Sequence, residues 1–241
     1  MKEGDHKDIL ELIKKHSGNA TKHTFADDYL GNNHPRYAIS MPALRIVAKS
    51  WMFGHRDMDA VTFGKLLTSL AEGESGTEKT MVGILMDYAQ KDQKKFNPRL
   101  FDNWLDHLMG WAEVDAVCSC RYTRTEIIAQ WQAWKPIIVK FSKSKNISKR
   151  RACLVLLIVP VRMTDDNRLS ALALQVIDRL KHEKEILITK AISWLLRSMI
   201  KKHKNLILQY LKNEGENLPK IALRETLVKI KTGIKNKRKD K

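Results

Sequence analysis

Trp111 and Asp115 stand four residues apart in GWAEVDAV (110–117). On a helix that spacing puts an indole and a carboxylate on one face. Glu113 lies between them and is expected to project elsewhere, into solvent. A second cluster, TKAISWLLR (189–197), places Lys190, Trp194 and Arg197 on a common face at spacings of four and three. In NISKRRACLVLLIVP (146–160), Arg150 and Arg151 fall in the early turns of a helix that Asn146 or Ser148 would cap. There a guanidinium adds to the positive end of the helix dipole, and phosphate is the natural ligand. Taken singly, a helical Trp is most often core and a lone Asp is most often solvated. Taken together, these residues describe a negative charge framed by aromatic faces in basic surroundings. Indole faces and a carboxylate both favour a delocalised cation. The chemistry they suit is recognition of a cationic group embedded in an anionic polymer.

The charge balance agrees with such a partner. Lys and Arg number 44 against 27 Asp and Glu, a formal net charge of +17. Nucleic acid is the leading polyanion, because its phosphates release counterions when Lys or Arg neutralise them. Part of the excess belongs to the C-terminal KIKTGIKNKRKDK, a basic tail that defines no site. No apolar run approaches the roughly 18 residues that span a bilayer. The N-terminal MKEGDHKDILELIKKH is charged throughout, without a hydrophobic signal segment. A cytoplasmic protein with no membrane contact is expected. Cys118, Cys120 and Cys153 form neither a disulfide framework nor a paired zinc motif, and they read as small apolar fillers. The eight histidines show no ligand spacing, so neither a metal nor any other cofactor is expected.

These side chains must be positioned by helices. HKDILELIKKH sets Ile9, Leu10, Leu12 and Ile13 on one side, and MPALRIVAKSWM continues the pattern with Leu44, Ile46, Val47 and Trp51 behind Pro42. Helical spacing predicts further segments at 57–70, 76–91, 94–108, 111–119, 121–133, 135–142, 147–160, 166–180, 184–202, 204–212 and 218–230. No stretch alternates as a strand would. A weak repeat aligns Ala112, Ala152 and Ala191 about 40 residues apart, with Ala222 following at a shorter interval. That period is the signature of HEAT-like helix pairs stacked into an α-solenoid. The expected fold is all-α: one HEAT-like repeat domain over 1–231, curved around a concave basic groove, and a tail over 232–241.

At this point the residues carry a resemblance. W-x-x-x-D at Trp111 and Asp115, the RRACLVL helix opening at Arg151, and KAISWLLR around Trp194 resemble the AlkD-like family of DNA alkylation repair glycosylases. Tyr29 in ADDYLGN and Arg45 in AISMPALRIVAK match positions in that family's N-terminal part. The likeness runs in order from about residue 25 to 230. It implies excision of cationic alkylated purines, such as 7-methylguanine and 3-methyladenine, from duplex DNA. It further implies a catalytic cleft of Trp111, Asp115 and Trp194, with Arg151 beside the lesion and Arg45 and Arg197 along the backbone. Lys190, Arg150 and Tyr29 are expected to join the DNA contacts. One departure is Gly110, which stands where a member of that family carries a second Trp.

Alkylation at N7 or N3 makes a purine a good leaving group, and heterolysis moves positive charge onto the sugar. Asp115 is placed to stabilise that charge and orient water, with the two indoles holding sugar and base. The expected partner is double-stranded DNA containing alkylated bases, met by a monomer with no obligate protein partner. A non-catalytic relative that binds distorted or branched DNA is the first alternative, and a protein-binding scaffold the second. Phosphate binding alone gives no reason for a carboxylate at Asp115.

Overall fold

The structure, a computed structural model of the 241-residue chain, describes residues 4–21, 31 and 33–234. Tyr29 lies outside the described residues, as does the tail from 235 onward. The described residues form twelve α-helices and no β-strand longer than a single bridge, between Thr21 and Arg36. In chain order the helices are α1 (Gly4–Ser17), α2 (Met41–Gly54), α3 (Ala60–Ala71), α4 (Gly76–Tyr88), α5 (Leu100–His107) and α6 (Gly110–Cys118). They continue as α7 (Arg121–Ala129), α8 (Trp131–Phe141), α9 (Ile147–Met163), α10 (Asn167–Leu180), α11 (Ile186–Glu214) and α12 (Lys220–Thr232).

Local chemistry sets most of the boundaries. Ser40 caps α2, with Pro42 in the first turn, and Asp59 caps α3 through the Val61 and Thr62 N–H groups. Ser75 and Glu78 close a reciprocal capping box on α4. Between the two caps named for α9, it is Asn146 that accepts from Ser148 and Lys149 N–H.

Three boundaries differ from the spacing. The helix expected over 94–108 is broken: a 3₁₀ turn at Gln93–Lys95 ends at Phe96, and α5 begins only at Leu100. Pro98 accounts for this, since the residue before proline is pushed out of helical geometry. The break expected before residue 135 falls instead at Gln130, and α8 runs through Pro136. An internal proline costs roughly 3 kcal/mol. Here Trp131, Trp134, Ile137, Ile138 and Phe141 form one buried stripe. Each such side chain contributes about 1.5–3 kcal/mol when buried, so the stripe outweighs the lost hydrogen bond. The break expected at 203 is a kink within α11, where His203 leaves helical geometry and its Nε2 meets the Thr164 carbonyl at 3.1 Å.

The described chain divides into two compact units, 1–126 and 127–241. In the first, helices two apart in the chain lie side by side. One layer is α1, α3 and α5; the other is α2, α4 and α6, and α4 also touches α3. Residues Gly76 to Met86 of α4 are all buried, so this helix is the spine of the unit. Its polar members are satisfied inside. His6 lies between Ser69 Oγ and Glu78 Oε1, at 2.6 and 2.8 Å, and Lys79 Nζ donates to the Ala71 and Gly73 carbonyls. Leu12 and Ile46, expected in the core, are exposed, with Ile46 at 68%. Ala48 and Met52 complete the buried face of α2 in its place. In the second unit α9 is the spine, packed on α8, α10 and α11, and α11 packs on α12. Ala152, Ala191 and Ala222 of the sequence repeat are all fully buried there.

Among the described glycines, Gly83 makes the closest approach to a neighbouring backbone. A Cβ built there would sit 1.9 Å from the Ala116 carbonyl oxygen, so only a glycine lets α4 and α6 approach this closely. Gly83→Ala is therefore expected to destabilise the protein by at least about 1–3 kcal/mol, the scale of overpacking. Gly54 has open space around its Cβ direction. Gly54→Ala should leave stability unchanged or raise it by up to about 1 kcal/mol. Thermal unfolding of the two variants measures the difference; equal midpoints would show that the α4–α6 contact does not constrain the fold.

Candidate functional site

Helix α6 carries the first cluster. Gly110 begins it with φ of +68°, a left-handed turn that glycine adopts without strain. A Trp at this position would be strained in the same backbone. Along α6 the buried positions are Gly110, Glu113, Val114, Val117 and Cys118. Trp111, Ala112, Asp115, Ala116 and Ser119 make the complementary, half-buried stripe. Trp111 and Asp115 thus share a face.

Glu113 is a correction. It was expected in solvent, and its side chain is fully buried. One carboxylate oxygen accepts from Met109 N–H at 2.9 Å, which satisfies a donor that the helix start would otherwise leave unpaired. His34 Nδ1 donates to both oxygens, at 3.0 and 3.1 Å, and Arg36 Nη2 lies 3.8 Å away. Arg36 also exchanges backbone hydrogen bonds with Thr21. Glu113 therefore fastens the 33–37 segment to the start of the helix that bears Trp111 and Asp115. Burial of this carboxylate is tolerated because donors surround it.

Arg45, on α2, is 45% exposed along its side chain, and its Nη1 donates to Asp87 Oδ2 at 2.8 Å. That hydrogen bond holds the guanidinium pKa above its ordinary value. Asp87 was not anticipated: a lone Asp near the end of an apolar helix carries no signal in the sequence, and only the fold sets it opposite Arg45.

In the second unit, Arg151 is 4% exposed and its Nη1 donates to the Leu187 carbonyl, tying the start of α9 to the start of α11. Arg150 folds back on the preceding turn. Its Nη1 donates to the Ser144 and Lys145 carbonyls and its Nε to Glu183 Oε1 at 2.8 Å. Both guanidinia at the α9 start are thus engaged by the protein itself. On α11, Lys190 is exposed while Trp194 and Arg197 are half-buried, so the three share a stripe as their spacing implied. Arg197 Nε donates to Ser193 Oγ at 3.2 Å and lies 3.4 Å from Glu225 Oε2. Burial pulls the Arg197 pKa below its ordinary value and Glu225 opposes that pull.

All three cysteines are buried. Burial pushes the Cys120 thiol up to about 11 and raises Cys153 further, which keeps both neutral and unreactive at ordinary pH. Among the described residues no three His, Cys, Asp or Glu side chains are grouped as metal ligands. No helix among them is long and apolar enough to cross a membrane.

The family model for DNA alkylation repair enzymes matches residues 10–230. The chain belongs to the DNA alkylation repair enzyme family. The fold agrees. A solved structure described as a predicted DNA alkylation repair enzyme from Enterococcus faecalis superposes with a TM-score of 0.69 at 17% identity, over 86% of this chain and 96% of that one. No curated protein matches the chain by sequence. Within this DNA alkylation repair enzyme, Trp111 with Asp115, and Lys190 with Trp194 and Arg197, are the two groups whose spacing and exposure coincide.

The geometry around Glu113 gives a direct expectation. Glu113→Gln keeps the shape but weakens three donor contacts, and should destabilise the protein by about 1–3 kcal/mol. Denaturant unfolding reads this out; a variant as stable as the parent would show that the carboxylate's charge is not needed to fasten 33–37.

Proposed function

We propose that this chain is a monofunctional DNA glycosylase that removes positively charged alkylated purines, 7-methylguanine and 3-methyladenine, from duplex DNA. The observation that carries the proposal is Asp115. It is a carboxylate on a half-buried helical face beside an indole, in a DNA alkylation repair enzyme with a net charge of +17. The substrate is a polyanion, and a carboxylate at the surface that meets it favours the part of that polymer carrying positive charge. A cationic purine and the sugar it leaves supply that charge.

The bond that breaks joins C1′ of the deoxyribose to the purine nitrogen. Its electron pair goes to the base, which becomes neutral, and the sugar acquires oxocarbenium character. Asp115 stabilises that charge electrostatically and orients the water that adds to C1′; the water's proton is lost to solvent. Trp111 and Trp194 hold sugar and base by stacking and cation–π contact, each worth about 0.5–2 kcal/mol. Arg45 and Arg197 act on the DNA backbone, Lys190, Arg150 and Tyr29 join the DNA contacts, and Arg151, from within the second unit, positions the start of α11 as well as meeting DNA. No metal or organic cofactor enters this scheme. The architecture we assign is HEAT-like, a single repeat domain over 1–231 that works as a cytoplasmic monomer.

Incubating the protein with duplex containing 7-methylguanine should release the free base. Stoichiometric binding without release, at enzyme in excess, would replace this reading with the non-catalytic one. Trp194→Ala should lower the release rate more than it lowers affinity for undamaged duplex. Equal losses in the two assays would remove Trp194 from the catalytic group.

A further inference from the structure

Beside α6, the first unit holds a small cleft of about 180 Å³. Arg45, Asp87 and Arg121 line it, together with Gly83, Ala116 and Ser119. Asp87 is 8% exposed along its side chain, and both its oxygens are committed. Oδ2 takes Arg45 Nη1 at 2.8 Å and Oδ1 takes the Arg121 backbone N–H at 2.6 Å. The Arg121 guanidinium, by contrast, is exposed and makes no hydrogen bond or ion pair with the described residues. Two arginines and one carboxylate line the cleft, which leaves it with one positive charge in excess.

We propose that Arg45 and Arg121, arranged around Asp87, form a seat for one backbone phosphate of the DNA next to the nucleotide that Asp115 acts on. The inference rests on duplex DNA being the ligand. The excess charge matches a phosphodiester, which carries a single negative charge. Arg45 spends one of its five N–H donors on Asp87, which fixes the planar group while leaving its exposed edge for an anion. Asp87 also fastens the first N–H of α7, so Arg121 projects from a fixed backbone. Ala116 of α6 and Ser119 just beyond it contribute only small side chains to the cleft wall. Ala116 directly follows Asp115, and Ser119 lies one helical turn, about 5.4 Å, beyond it. The cleft wall thus adjoins Asp115 along the chain, and the seated phosphate is one near the nucleotide at Asp115. Arg121 escaped the sequence reading because it opens a separate helix, after the Ser119–Cys120 turn.

The test measures affinity for duplex DNA across a salt series, for the full chain and two charge-matched variants. Arg121→Gln removes the proposed contact. Lys95→Gln removes an exposed cation that lines a different cavity of the same unit. Arg121→Gln should weaken binding about tenfold and make the slope of log affinity against log salt shallower by about one. Lys95→Gln should change neither by more than about twofold. A neutral methylphosphonate placed near an alkylated nucleotide should, at one position, weaken binding by the parent at least as much as Arg121→Gln does, and should cost the variant less than it costs the parent. If Arg121→Gln behaves like Lys95→Gln while the parent binds DNA well, the seat is wrong and the DNA reading stands. If the parent does not bind duplex at all, both are wrong. A methylphosphonate that costs the variant as much as it costs the parent at every position overturns the placement beside Asp115.

Discussion

The contact of Gly83 with the Ala116 carbonyl is the constraint on which the first unit depends. Helices usually pack with axes 8–10 Å apart, the distance being set by the side chains between them. At Gly83 there is no side chain, and the backbones meet. That contact fixes how far α6 stands from the buried spine α4, and with it the depth at which Trp111 and Asp115 present their stripe. Glu113 fixes the other end of the same helix by binding His34, Arg36 and the Met109 N–H. A short helix of nine residues has little stability of its own. Pinned at its start by a buried carboxylate and along its length by a glycine contact, it becomes a rigid mount for an acid and an indole.

The cations tied to carboxylates follow a common pattern. Arg45 is bound to Asp87, Arg150 to Glu183, and Arg197 faces Glu225. These three arginines are held in place although the chain carries a net charge of +17. A guanidinium held by one carboxylate has already lost most of its rotamer freedom. It still presents donors in a fixed plane, which suits bidentate phosphate binding better than a mobile Lys does. The cost is a weaker long-range field, offset by exposed residues such as Lys190.

Much of this was legible in the sequence because helical period is a strong signal. The α6 stripe and the Lys190–Trp194–Arg197 stripe both follow from spacings of three and four, and Asn146 follows from capping chemistry. What was not legible depends on contacts far along the chain. Glu113 is adjacent to a solvated stripe by period, yet His34 and Arg36, some 80 residues earlier, draw it inside. Arg151 belongs by sequence to an exposed helix start, yet α9 is the spine of its unit and the Leu187 carbonyl takes the guanidinium. Pro136 reads as a helix start, and the buried Trp131 and Trp134 overrule it. Asp87 and Ile46 likewise depend on which neighbour each helix meets.

The proposed role of Asp115 is to meet the positive charge that develops on the sugar as the base departs. The direct measurement is single-turnover release of 7-methylguanine by Asp115→Asn, with duplex affinity and thermal unfolding determined on the same preparation. Removing the charge while keeping the shape should slow release about 10²-fold, the scale of one well-placed electrostatic group. Affinity should hold or tighten, since a negative charge has been taken from beside the phosphates. A variant with a lowered unfolding midpoint but normal release per folded molecule would contradict the account and make Asp115 a structural residue.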